Sequence, residues 1–334
     1  MSSTSKRANP LPVTGTVGFL VQRYRESEDF KRLSESTQAS YGVHLNRFET
    51  AWGTLSYSLA DGAVMALRDS MAGTPGMANH MLSVGRSLWN WGRAVGVHSN
   101  PFAGIANLEI GDTGHIPWPG WIVELVCKTA WPDLVRMVRL GLATCQRESD
   151  LIRMGPAQRE RHGLWCRPKK TKRKRKAFCI PLTPADLRML DGWPRAKIAF
   201  TATRWKAPIR RGNPDYYLFS PRGVPYTETS LRARWHRWLN TNDGRVVCKR
   251  WQAWVVEMVR KYEWEIDPAE AAYPTIHGLR GTGILIRRAD GYDVDQIGND
   301  IGMSRQMVER YMRFRDQMEI AAAGQARLRI ISRR

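Results

Sequence analysis

A chain of 334 residues exceeds one typical domain and suits two, and its 52 Lys and Arg against 31 Asp and Glu leave a formal charge of +21, which points to nucleic acid as the partner ahead of a membrane surface or another polyanion. Five cysteines, an odd number without a CxxC pair, argue against a disulfide framework and a zinc module, and the seven histidines form no pair at metal-ligand spacing. With no secretory leader and no apolar run long enough to span a bilayer, a cytoplasmic protein without a membrane partner is expected.

Residues 1–12 are polar and contain two prolines, which predicts a disordered start. From 13 to 105 the apolar residues recur with helical spacing. Phe19, Leu20 and Tyr24 mark a first helix. A second runs from Ser36 as N-cap through Tyr41, Leu45 and Phe48. A third covers Ala63–Met71, and a fourth covers Met77–Val95 with Met81, Leu82, Leu88, Trp89 and Trp91 before Pro101 stops it. This predicts an all-helical bundle. Its cations Arg23, Arg25, Lys31, Arg32, Arg47, Arg68, Arg86 and Arg93 suit either a face lying on DNA or a solvated helix surface.

Gly111, Gly114, Pro117 and Pro119 make 106–119 read as a linker. Helices are predicted over Trp121–Ala130 and Asp133–Ala143. Arg147 and Asp150 follow at i and i+3, a spacing at which the carboxylate orients the guanidinium if the segment is helical. Gly163–Pro168 and Arg175–Leu182 read as strands, with Trp165, Phe178 and Ile180 alternating along them. Between them RPKKTKRKRK, residues 167–176, has eight basic residues in ten. The run includes Lys169, Lys172, Arg173, Lys174, Arg175 and Lys176 and reads as a hairpin tip placed on phosphates. Thr183 and Pro184 start a helix to Leu190. Arg204–Asn213 reads as a basic loop, Tyr217–Phe219 as a short strand, and Glu228–Leu239 and Lys249–Trp264 as helices.

The stretch from Thr275 to Phe314 organises the rest. His277 and Arg280 are three residues apart, which on a helix sets their Cβ atoms roughly 5–6 Å apart on one face. An imidazole beside a permanent guanidinium suits a phosphate. A helix from near Asp293 ends at Gly302, and another with Ser304 as N-cap carries Met307, Val308 and Tyr311. In chain order, then, come Arg147, a hairpin lysine, His277, Arg280 and Tyr311. Two guanidiniums, a lysine and a phenol fit phosphoryl transfer to and from tyrosine: the guanidiniums stabilise spread charge, the phenol is a covalent nucleophile, and the lysine donates a proton to the leaving alkoxide.

These pieces resemble the tyrosine recombinase, or phage integrase, family. The matching motifs are Q-R-E-S-D-L at 146–151, K-T followed by I-P-L within 170–182, H-G-L-R at 277–280, and I-G-M-S then E-R-Y within 301–311. In the first half Ser36, Thr37, Tyr41, Leu45 and Phe48, with the W-N-W-G-R-A run ending in N-P over 89–101, are similar to the family's helical core-binding domain. The resemblance implies a mainly α fold with a small β-hairpin sheet: a SAM-like core-binding domain over 13–105, a linker at 106–119, an α+β catalytic domain over 120–315, and a tail over 316–334 that docks on a neighbouring protomer.

It further implies a site-specific recombinase that integrates or excises a mobile element or phage. Tyr311 attacks the scissile phosphate and leaves a 3′-phosphotyrosine. Arg147 and Arg280 hold the phosphate oxygens, His277 bonds the phosphate or assists proton transfer, Lys170 protonates the leaving oxygen, and Asp150 buttresses Arg147. Neither ATP nor metal is implied. The implied partners are double-stranded attachment-site DNA, three further copies in a tetramer, and accessory directionality or bending proteins, in a bacterial cytoplasm at the nucleoid. Met303 stands where the family often has His or Trp; a thioether is no useful donor, so packing against Tyr311 is the expected support. Gly281 and Gly283 are unusually small for their positions, and the segment 240–272 is longer than the compact family pattern. A type IB topoisomerase and a non-catalytic DNA-binding protein on this fold are the competing readings.

Overall fold

In a computed structural model of the chain, residues 13–110, 115–169, 177–193, 198–199, 209–210, 215–264 and 266–312 are described. The stretch 170–176 of the run read as a hairpin tip, and with it Lys170, Lys172, Arg173, Lys174, Arg175 and Lys176, lies outside these residues, as do most of the basic loop, residues 313–315 and the tail at 316–334. The chain divides into two compact units, with the boundary between Gly111 and Asp112.

The first unit is helical: α1 Val17–Glu26, α2 Glu28–Lys31, α3 Glu35–Trp52, α4 Asp61–Asp69 and α5 Pro75–Gly92, closed by a 3₁₀ turn at Arg93–Val95. Thr16 caps α1 by accepting the Phe19 N–H. The N-cap of α3 is Ser34 rather than the predicted Ser36: its extended backbone lets the hydroxyl accept the Thr37 N–H. Leu20, Leu45, Phe48, Leu82, Leu88, Trp89 and Phe102 form the core. Phe48 stands at its centre, 5.6, 6.0 and 5.4 Å from the rings of Trp52, Trp89 and Phe102. Two of the cations considered for DNA hold the unit's own backbone instead. Arg86 donates to the carbonyls of Phe102 (3.2 Å) and Ile105 (2.6 Å), and Arg68 donates to that of Ala106 (2.9 Å).

The second unit has α6 Gly120–Thr129, α7 Pro132–Thr144 and a one-turn α8 Glu148–Leu151, followed by β1 Arg159–Glu160, β2 Gly163–Cys166, β3 Phe178–Pro181 and α9 Pro184–Asp191. Two two-residue strands, β4 Ile198–Ala199 and β5 Ile209–Arg210, pair antiparallel, so β5 falls inside the stretch read as a loop. Then come α10 Glu228–Leu239, α11 Asn242–Tyr262, α12 Gly278–Ala289, α13 Val294–Ile301 and α14 Arg305–Met312.

The three-stranded sheet is antiparallel in the order β1-β2-β3, with Leu164 opposite Ile180. That register turns Leu164, Cys166 and Ile180 inward. Trp165, read as part of the alternating strand pattern, is on the outer face and 42% exposed. Tyr217–Phe219 is buried but makes only an isolated bridge from Phe219 to Pro225. The main core gathers α6, α7, α10 and α11 around Trp118, Trp235, Trp238 and Trp251. Asp133 of α7 accepts from Arg234 (2.9 Å) and Tyr226, which ties α7 to α10. A smaller apolar cluster holds the C-terminal helices: Cys145, Ile284, Ile297, Ile301, Met303, Val308 and Tyr311.

The stretch 115–118, read as linker, is built into this unit. Ile116 and Trp118 are buried. The Trp118 N–H donates to Thr282 Oγ1 at 2.6 Å, and the Trp118 indole donates to the Thr275 carbonyl at 2.8 Å. Helix α12 can lie this close because Gly278 has no side chain to meet the Ile116 carbonyl.

Candidate active site

Helix α12 opens the site. His277 is its N-cap and Arg280 lies in its first turn. Arg280 is only 3% exposed, and its Nη1 has no hydrogen-bond partner among the described residues. Burial, with the like charge of Arg147 next, pushes its pKa down to about 10; Tyr311, Cys145 and Asp150 oppose that fall. A buried guanidinium without a partner is costly, and such groups concentrate where an anion is to be bound.

Arg147 arrives from the opposite end of the unit's sequence. Helix α7 stops at Thr144, and Cys145 follows in the left-handed region, φ 52°. Two residues later Arg147 is the N-cap of α8 in an extended conformation. Among the described residues its guanidinium has no hydrogen-bond or ion-pair partner, but its charge is felt by both Arg280 and Tyr311.

Asp150 is buried as a supporting residue should be, yet its contacts are not with Arg147. Oδ1 accepts the Lys169 N–H at 2.8 Å and lies 3.9 Å from Arg153 Nη1. The expected pairing assumed helical i, i+3 geometry, and Arg147, sitting before the helix with ψ 152°, does not have it. Asp150 therefore steadies the backbone that leads into Lys170, and its charge reaches Arg280.

Tyr311 comes to the same place on α14. Its hydroxyl is 3.1 Å from His277 Nε2. The phenol is 8% exposed; burial raises its pKa, while the charges of Arg280, Arg147 and Arg310 oppose that rise. The turn that returns α14 to α12 depends on Gly302, φ 66°, the C-cap of α13. Met303 follows it, buried at 7% in the same cluster as Tyr311, as packing support requires. The two small residues of α12 allow close helix approach: a Cβ at 281 would stand 2.9 Å from Tyr311 Cδ1, and one at 283 would stand 2.5 Å from Cys145 Sγ.

Four neighbours of the site were given no role by the sequence, although Gln146 and Glu148 lie within the 146–151 motif. Gln146, buried, donates to the carbonyls of Thr144 (3.0 Å) and Ile301 (2.9 Å), so it fastens the Arg147 turn to the end of α13. Arg287 donates to the Ala143 carbonyl (2.5 Å) and to Cys145 Sγ (2.8 Å), capping α7 from α12. Arg287 lies two turns beyond Arg280, on the same helix face, which is the one signal available beforehand. Glu148 is buried, its Oε2 accepts from Arg232 Nε at 2.7 Å, and burial raises its pKa against the pull of that partner. Finally, the ring of His115 packs 4.4 Å from that of His277. Lys169, considered for DNA, pairs with Glu228 at 2.9 Å on the surface.

The structure thus brings Arg147, His277, Arg280 and Tyr311 to one place, with Asp150 and Met303 beside them. Among the described residues no group of three His, Cys, Asp or Glu side chains could hold a metal, and no helix is long and apolar enough to cross a membrane.

No protein-family model matches the chain, and no curated protein matches it by sequence. Solved structures do. A lambda integrase dimer (residues 75–356) bound to a COC' core site superposes with a TM-score of 0.66 at 15% identity, over 90% of this chain and 97% of that one. A lambda integrase tetramer bound to a Holliday junction gives 0.64 at 15% identity, over 90% and 79%. The Tn1549 transposon integrase (residues 82–397) in complex with a circular intermediate DNA gives 0.62 at 12% identity, over 94% and 100%. This mainly helical chain with its small antiparallel sheet has the fold of the tyrosine recombinases.

Proposed function

We propose that the protein is a site-specific DNA recombinase of the integrase type, cutting and rejoining DNA through a phosphotyrosyl bond at Tyr311. The observation that carries this reading is a buried Arg280, whose Nη1 has no hydrogen-bond partner among the described residues, at the site where the Tyr311 hydroxyl is hydrogen-bonded to His277. The DNA-bound state of the similar integrases supports double-stranded DNA as the partner, and the tetramer on a Holliday junction supports a homotetramer as the working assembly.

A phosphodiester entering between Arg147 and Arg280 supplies the anion that Arg280 lacks. The two guanidiniums then stabilise charge on the non-bridging oxygens as it grows in the transition state. The Tyr311 oxygen attacks phosphorus while His277 Nε2 takes the phenolic proton; the bond from phosphorus to the 5′ oxygen breaks, and that oxygen takes a proton from Lys170. The product is a 3′-phosphotyrosine and a free 5′ hydroxyl. Attack by a 5′ hydroxyl of the partner strand reverses each proton transfer and restores the phosphodiester. The bond energy is kept throughout, so exchange between two duplexes, as in moving a mobile element, needs no nucleotide.

The test is a nicked duplex whose short cleaved fragment diffuses away. Such duplexes, selected from a random-sequence pool by binding to the protein, should give an adduct stable to denaturant. DNA binding without any adduct would favour a non-catalytic binding protein.

A further inference from the structure

The chain reaches His277 through residues 271–275, a segment in neither helix nor sheet. Such a segment has no ladder to take its carbonyls, so they need other donors. Three of them meet buried tryptophans. The indole N–H of Trp251 donates to the Ala271 carbonyl at 2.8 Å, that of Trp235 to the Pro274 carbonyl at 3.2 Å, and that of Trp118 to the Thr275 carbonyl at 2.8 Å. All three side chains are buried. They come from different parts of the unit: Trp118 precedes α6, Trp235 lies in α10, and Trp251 lies in α11. The rings of Trp118 and Trp235 stack at 5.4 Å, which fixes these two donors relative to each other. A tryptophan has only two rotatable side-chain bonds, so once its ring is packed its N–H points one way.

Thr275 opens the turn that carries His277. Its carbonyl also accepts the Gly278 N–H at 3.0 Å, and its Oγ1 lies 3.2 Å from the same N–H. The Trp118 indole therefore grips the first carbonyl of a closed turn. Holding that carbonyl holds the backbone from which the imidazole reaches Tyr311, where Nε2 is 3.1 Å from the hydroxyl.

We propose that Trp118, Trp235 and Trp251 are positioning residues for His277. Their indole N–H groups lock the irregular segment 271–275 and so keep the imidazole at hydrogen-bond distance from Tyr311. This rests on the recombinase reading for the chemistry that His277 performs. It also gives the long segment 240–272 a use, because α11 is what brings Trp251 to Ala271.

The experiment measures single-turnover adduct formation and equilibrium DNA affinity on one nicked duplex for Trp118→Phe, Trp235→Phe and Trp251→Phe. Phenylalanine keeps an aromatic ring and loses the N–H. Each variant should cut between about 10-fold and 10²-fold more slowly, the order lost when a catalytic group shifts by up to about 1 Å, with affinity unchanged. Trp238 packs 4.9 Å from Trp235 and donates to none of these carbonyls, so Trp238→Phe should cut at the parental rate. A loss of general stability would slow cleavage in every background. A loss that acts through His277 would not, so Trp118→Phe should cost nothing further when combined with His277→Ala. Where a phenylalanine variant melts below the assay temperature, benzothienylalanine at the same position replaces it; sulfur there takes the place of the N–H at nearly constant volume. A parental rate in any of the three variants, equal slowing in Trp238→Phe, or slowing that persists beside His277→Ala overturns the proposal. An unaltered chain that binds the duplex without forming an adduct overturns the recombinase reading, and this proposal with it. An adduct from the unaltered chain with full rates in the variants overturns this proposal alone.

Discussion

The Tyr311 hydroxyl and His277 Nε2 are 3.1 Å apart. On the proposed reading this contact sets the nucleophile beside its proton acceptor, on a helix positioned by Gly302 and by the close approach at Gly281. Replacing His277 with Ala should slow adduct formation about 10²-fold or more, the usual contribution of a placed base. DNA affinity should change much less. Single-turnover cleavage and equilibrium binding on the same duplex check both.

Arg280 should show function opposing stability. Its guanidinium is buried and its Nη1 has no hydrogen-bond partner among the described residues, so Arg280→Met should leave the melting temperature of the free protein unchanged or raised. The same variant should cut at least about 10²-fold more slowly. Arg280→Lys should fail nearly as badly, since an ammonium does not reproduce the fork. A lower melting temperature with cleavage retained would make Arg280 an ordinary structural residue.

The salt dependence of DNA affinity tests the basic run. Each neutralised phosphate contributes a log–log slope of about −0.9. Changing Lys172, Arg173, Lys174 and Arg175 to Ala should flatten that slope by several contacts. An unchanged slope would mean that the run does not meet DNA.

The first unit carries its own acid sensitivity. His44 is buried with its Nε2 3.0 Å from His80 Nδ1, while Tyr41 edges onto the His80 ring and Arg47 adds like charge. Burial first, then His80 and Arg47, lowers the His44 pKa from 6.5 to about 4. The folded state thus refuses a proton that the unfolded chain takes up below 6.5, so stability is full above that pH and falls as pH drops toward 4. The loss should amount to roughly 2–3 kcal/mol. His44→Leu should flatten this part of the pH profile, read by thermal melting between pH 7 and 5; an unchanged profile would place the acid sensitivity elsewhere.

Most of this architecture was legible in the sequence because it depends on local pattern. The capping box at Thr183, the apolar stripe of α10, and Gly302 between α13 and α14 each announce themselves within a few residues. The grouping of Arg147, His277, Arg280 and Tyr311 was legible only through motif order. Long-range polar contacts were not. Gln146 reaching Ile301, Arg287 capping a helix that is not its own, and Glu148 holding Arg232 join residues 84 to 155 positions apart, and no local rule encodes such pairs. Asp150 shows the converse error. A spacing that would pair it with Arg147 on a helix does not do so when one partner is the extended cap.

The proposed chemistry requires that Tyr311 itself join the DNA. The direct measurement is mass spectrometry of the peptide left on DNA after capture by a nicked duplex and proteolysis. It should find a phosphotyrosine at Tyr311 and no adduct from Tyr311→Phe, with DNA binding retained. A phosphotyrosine at Tyr262, Tyr273 or Tyr292, or an adduct that survives Tyr311→Phe, would contradict it.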